Sequence, residues 1–254
     1  VQTCALPIYV INGELMPIYR IADLNVEINP KYKLAGQRLE PYIIQSDKSD
    51  KVDITVSVTD GEITQRCMLG NNIDRQEAED VLILTKFCNA VLDGFDGFFF
   101  HSSCLELDGE GYAFSAVSGT GKSTHTALWQ KHFGDRVTMI NDDKPIIRRC
   151  GGRFYVYGTP WMGKADIGTN TKAPLKAVYI LERAKENRAA RVLPSQVLRQ
   201  LFEAAVIDVE RSRMERLLEL FDGCFSVTPL FLLGCNMEDG AVITAYNAAN
   251  GKDK

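Results

Sequence analysis

The sequence predicts an α/β protein with a mixed sheet, a small β-rich lead-in before it and a helical region after it. Three observations carry this. Phe98 to Leu107 and Tyr112 to Val117 read as strands folded back on each other at the turn DGEG. The glycine-rich segment AVSGTGKST, Ala116 to Thr124, joins the second strand to a helical stretch. From Pro194 onward, apolar residues recur at helical spacing.

The elements follow in order. VQTCALPI, at 1–8, lacks the basic region and long apolar core of a signal peptide, and resembles the translation of a sequencing adapter. It is read as non-native and set aside with Cys4. The lead-in covers 9–74. Within it Tyr19 to Ile28 and Val52 to Val58 alternate apolar with polar residues, and turns follow at Asn29-Pro30 and Asp60-Gly61. The main domain covers 75–254. It opens on a helix in which Val81, Leu84, Phe87, Cys88, Val91 and Leu92 share a face, ending at Asp93-Gly94. Ser123 to Phe133 reads as a helix stopped by Gly134, and Val137 to Ile140 as a buried strand closing on Asn141-Asp142-Asp143. Further strands are expected at Phe154 to Tyr157 and Ala177 to Leu181. The stripes Val197, Leu198, Leu201, Phe202, Ala205, Val206 and Met214, Leu217, Leu218, Phe221 read as core. Pro229 to Leu233 is a last apolar run before a polar tail.

Composition removes several function classes. With 29 basic against 33 acidic residues and a net charge of −4, the chain has no cationic field to gather nucleic acid. No apolar run approaches the roughly 18 residues of a membrane span. Seven cysteines, an odd number without a CxxC pair, fit reduced thiols and a cytoplasmic location, and no Cys/His spacing suits zinc. His125 and His132 are expected on a helix surface.

The glycine-rich segment has the strand-loop-helix setting of a phosphate-binding loop. Gly119 and Gly121 allow positive φ, so that successive N–H groups from Ser118 to Thr124, Thr120 included, point at a polyphosphate. Lys122 reaches the β- and γ-phosphates, Ser123 puts its hydroxyl on Mg²⁺, and the helix adds its positive dipole end. The common motif opens on Gly; here Ala116 stands in that place. Carboxylates at the strand end, Asp142 and Asp143, are placed to hold Mg²⁺ or to take a proton from an attacking hydroxyl. If DGEG closes the hairpin as a four-residue loop, Leu107 faces Tyr112 and His101 faces Ser118, at the mouth of the loop. GTPWMGK, Gly158 to Lys164, reads either as a segment closing over substrate with Lys164 countering charge, or as a turn anchored by Trp161. The basic run Arg183, Lys185, Arg188, Arg191 reads as a solvated face, with a second cation for the γ-phosphate still to be found.

His101, the hairpin, SGTGKS and the paired acids, in that order, resemble the HPr kinase/phosphorylase family of the phosphoenolpyruvate carboxykinase-like superfamily. The resemblance covers Phe98 to about Leu181. It is similar above all to HPr-kinase-related proteins of bacteria. The resemblance implies a P-loop kinase core of that type. It also implies ATP and Mg²⁺ held by Lys122 and Ser123, Asp142 as base, Asp143 as metal ligand, and His101 positioning the base and the transferred group. The EIRGLGI-like segment of bifunctional members is absent, as is their sensor domain, and the chain is too short for a carboxykinase. The expected function is transfer of the ATP γ-phosphoryl group to a hydroxyl: serine of a peptide, a small protein, or a metabolite. The alternative is an inert nucleotide-binding scaffold or sensor. A general P-loop ATPase or GTPase fits less well, given the antiparallel hairpin and the lack of an NKxD-like segment. The oligomeric state is left open, a homo-oligomer included.

Overall fold

The computed structural model describes residues 9–11, 14–45, 51–69, 72–117, 119–163, 165–205 and 210–251. The chain divides into two compact units, 1–90 and 91–254.

In the first unit, β1 (Tyr9–Ile11) pairs antiparallel with β2 (Glu14–Met16). β3 (Ile18–Ile21), β4 (Leu24–Ile28) and β5 (Ile54–Val56) form a three-stranded sheet. The run Tyr19 to Ile28 is thus a hairpin and not one strand. Ala22 and Asp23, at φ 53 and 62, supply a two-residue turn that Ala22 does not advertise in sequence. Two helices lie where the sequence suggested only strands and turns, α1 (Lys33–Leu39) and α2 (Asp60–Leu69). Asp60-Gly61 is the first turn of α2. Ahead of it Thr59 N–H donates to Glu62 Oε2 at 2.8 Å and Glu62 N–H to Thr59 Oγ1 at 3.3 Å, a capping box written as TDGE. α3 (Arg75–Gly94) runs across the division between the units.

The second unit holds β6 (Gly97–Phe99), β7 (Ser102–Leu107), β8 (Glu110–Ser115), α4 (Lys122–Phe133), β9 (Val137–Asn141), β10 (Ile146–Cys150), β11 (Arg153–Tyr157) and β12 (Lys172–Arg183). After these come β13 (Arg188–Arg191), α5 (Leu198–Ala204), α6 (Arg211–Val227), β14 (Leu230–Cys235) and α7 (Gly240–Ala249). Among the described residues nine strands form one mixed sheet, ordered β6-β10-β11-β12-β8-β7-β9, with β14 also on β12 and β13 beyond it. β12 runs parallel to β8 and β14; the other pairings are antiparallel.

Strand periodicity splits the core between the two faces of this sheet. On β12, Val178 and Ile180 pack with Leu201 of α5 and Leu217 and Phe221 of α6. Ala177, Tyr179 and Leu181 pack with Trp129 of α4 and Val242 of α7. A strand covered on both faces reads as the continuous apolar run AVYIL. α7 occupies the stretch expected to be a polar tail: Ala241, Val242 and Ala245 are buried, residues too small to give a strong stripe.

The central hairpin departs from expectation in two ways. Its turn is the two-residue Asp108-Gly109, at φ 54 and 82, so Leu107 faces Glu110 and Ser102 faces Ser115. The expected register, Leu107 with Tyr112, is corrected; Ser118, the partner it gave His101, lies outside the described residues, as do Lys164 and Val206. The expected single strand Phe98 to Leu107 is also broken. β6 pairs with β10 and β7 with β8, and between them His101 N–H donates to Ala204 O at 2.6 Å. Cys67, Cys88, Cys104, Cys150, Cys224 and Cys235 form no disulfide. Among the described residues no helix is long and apolar enough to cross a membrane.

Candidate functional site

The loop between β8 and α4 takes its shape from two glycines. Gly119 has φ 78 and Gly121 φ 120, backbone conformations that a side chain would strain. Thr120 N–H donates to Val117 O at 3.1 Å, and Gly121 O accepts the N–H of His125 at 2.9 Å as α4 begins. α4 has no side-chain cap and no acidic residue in its first turn, so its free N–H groups and positive dipole end face the loop unneutralised. Lys122 Nζ folds back to Ala116 O at 3.3 Å. From the end of β12, Arg183 Nη2 donates to Gly119 O at 2.6 Å. Arg183 stays exposed, as expected of its basic run, and also braces the loop.

The acid turn is built by side chains. Asn141, fully buried, ends β9. Its Nδ2 donates to Thr159 O at 3.1 Å, Thr159 Oγ1 at 3.2 Å and Trp161 O at 3.4 Å. Its Oδ1 accepts the N–H groups of Asp143 at 2.9 Å and Lys144 at 2.8 Å, closing an Asx-type turn. Asp142 Oδ1 then accepts Gly163 N–H at 2.6 Å. Asp143 meets His101 Nε2 through Oδ1 at 3.0 Å and the Lys144 ammonium through Oδ2.

These partners drive the two carboxyls apart. Burial raises Asp142 above the usual carboxylate range, Gly163 N–H opposes it and the Asp143 charge adds to it. Burial also acts on Asp143, but the hydrogen bonds from His101 and Lys144 outweigh it and bring the carboxyl down to about 2. Lys122 is lowered by burial, with the Asp143 charge opposing. The two adjacent carboxyls therefore differ in how readily they take a proton, Asp142 the more readily.

His101, Lys122, Ser123, Asp142 and Asp143 line one cavity of about 450 Å³, together with Gly119, Gly121 and Thr124. Thr120 lies in an adjoining cavity of about 460 Å³ that shares Gly119, Gly121 and Thr124. His101 meets Asp143, while Asp142 turns to Gly163. His125 is corrected from its expected surface placement. It is 2% exposed, with Phe114 at 4.7 Å between ring centroids, and burial brings it down to about 4; His132 is exposed as expected.

Sequence reasoning left Asn141, Lys144 and Gly163 without roles. The Asn that opens NDDK is an Asx-turn signal that could have found the first two. Gly163 has no local signal, since its partner is Asp142, far back in the chain. GTPWMGK braces the acid turn through Thr159, Trp161 and Gly163, with Trp161 buried against Phe99 at 5.8 Å between centroids.

The Ser123 hydroxyl and the ionised Asp143 carboxylate are hard oxygen donors facing one cavity, which suits Mg²⁺. Among the described residues no group of three His, Cys, Asp or Glu side chains could hold a metal alone, so further oxygens must come from a ligand or water. Both Asp143 oxygens are engaged, and each keeps a second lone pair that a cation can use.

No family model matches the chain, and no curated protein matches it. Among solved structures it is similar to the HPr(Ser) kinase/phosphatase from Coxiella burnetii, at 9% identity and a TM-score of 0.35, over 61% of this chain and 95% of that one.

Proposed function

We propose that the protein is a Mg²⁺-dependent phosphotransferase with a P-loop kinase core, moving the γ-phosphoryl group of ATP to a hydroxyl of a peptide serine, a small protein or a metabolite. The observation that carries this is the single cavity in which Lys122 and the α4 N-terminus face two carboxyls driven in opposite pKa directions. The loop amides and Lys122 bind the polyphosphate. Ser123 and Asp143 hold Mg²⁺, which when bound neutralises phosphate charge. Asp142, anchored through Oδ1 by Gly163, takes the hydroxyl proton at Oδ2 as the acceptor oxygen bonds to the γ-phosphorus. The bond from phosphorus to the β-bridging oxygen breaks and ADP leaves. His101 orients Asp143 and forms part of the wall of a smaller cavity, about 230 Å³, with Gln200 and Glu203, which offers the acceptor a way in.

The test is transfer of labelled γ-phosphate from ATP to serine-containing peptides, read for the native chain and for Lys122→Ala and Asp142→Asn. Loss of both variants' activity supports the reading, and near-native rates in both end it. One observation favours the alternative of an inert nucleotide-binding module: Asp143 is already engaged by His101 and Lys144. ATP binding with no phosphorylated product from the native chain would select it.

A further inference from the structure

One residue lining the cavity beside the loop, His125, carries a buried polar atom that the proposed chemistry does not use. Trp129 Nε1–H, a donor with no acceptor capacity, points to His125 Nε2 at 3.0 Å. Nε2 must therefore be bare, the imidazole neutral, and the ring proton on Nδ1. Among the described residues that Nδ1 is buried with no hydrogen-bond partner. A buried donor left without an acceptor is costly, so it is a place where a ligand acceptor gains.

The surroundings point to what that ligand is. The His125 ring helps line the cavity of about 460 Å³, inside the range of about 300–1,000 Å³ for small-molecule sites. This cavity shares Gly119, Gly121 and Thr124 with the one holding Lys122 and the carboxyls, so a ligand can thread both along the loop. Its other walls are mainly apolar: Leu128, Ala184, Cys235 and Met237, the last 78% exposed, a flexible thioether suited to a flat ring. Of its polar side chains, Arg183 is on Gly119 O, and Asn236 is on Lys185 O and Glu238.

We infer that this cavity receives the nucleoside of the nucleotide whose phosphates the loop holds, and that His125, its tautomer set by Trp129, donates from Nδ1 to an acceptor atom of that nucleoside. The inference rests on the phosphate-loop reading above. It adds where the nucleoside lies and which residue reads it.

Calorimetric titration of the full chain with ATP and with inorganic tripolyphosphate separates the two readings, and ¹⁵N-histidine NMR reports the ring. We expect the Nδ1–H tautomer in the free protein and a shift of its signal on ATP but not on tripolyphosphate. ATP should bind at least about tenfold more tightly than tripolyphosphate, and His125→Phe should bring that ratio to within about threefold. Ala184→Leu, which fills the cavity without touching the buried ring, should narrow the ratio likewise and serves if His125→Phe does not fold. Tripolyphosphate binding with no advantage for ATP, or a ratio that both variants leave intact, overturns the nucleoside inference alone. Failure of either ligand to bind overturns the phosphate-loop reading and this inference with it.

Discussion

The loop from Ala116 to Thr124 and the turn from Asn141 to Lys144 face one cavity, yet they are held in shape by different means. The loop is a backbone device: two glycines at positive φ, a helix end, and one outside brace from Arg183. The turn is a side-chain device, in which Asn141, Thr159, Gly163, His101 and Lys144 each fix one atom of the acids or of the backbone that carries them. A backbone device can be rebuilt from a short motif. A side-chain device needs its distant partners, and should fail sharply when one is removed.

The largest effect should come from the turn. Asp142→Asn keeps the Gly163 contact but removes the proton acceptor, and should lower the transfer rate by about 10²–10⁴ while ATP affinity changes little. Equal losses of rate and affinity would show that the two devices are not separable. Next, Asn141→Ala strips acceptors from Asp143 N–H and Lys144 N–H in a buried position, for a loss of about 3 kcal/mol by urea denaturation. A loss below about 1 kcal/mol would mean the turn stands without its Asn.

The third prediction concerns pH. The Asp143 carboxyl lies near 2 when folded against 3.8 otherwise, so its contribution is complete above about pH 4 and is lost as pH falls towards 2. The shift amounts to about 2 kcal/mol. Asp143→Asn should be the less stable at pH 7 and converge with the native chain towards pH 2; parallel stability curves across that window would remove the clamp from the account. The smallest effect belongs to the loop. Gly119→Ala meets no neighbouring atom but keeps φ at 78, so it should cost about 1 kcal/mol in stability. A larger cost would place the loop, and not the turn, as the demanding partner.

That same contrast explains what could be read from residues alone. SGTGKS is local, and its strand, glycines and helix are adjacent in sequence, so the loop's setting was legible. The short apolar strands and the stop at Gly134 were legible for the same reason. The pairing of His101 was not, because the Asp-Gly turn shortened the hairpin loop and the contact with Asp143 depends on the interruption between β6 and β7 at Phe100-His101. Arg183 looked like one more charge in a solvated run, since nothing nearby in sequence announces a carbonyl at Gly119. His125 was misplaced because α4 is covered on a face that its sparse apolar residues hardly mark. α7 was missed for its small side chains.

The seat of His101 has a practical corollary. Its backbone N–H is tied to Ala204, a residue on α5 about a hundred positions further along, while its carbonyl accepts the hydroxyl of Ser115. A recombinant fragment cut just after β12 would retain the loop, both acids and the imidazole, yet lose the anchor that aims the ring. Any truncation series meant to find a minimal working piece should therefore carry α5, and a piece that dispenses with it should bind polyphosphate better than it orients Asp143.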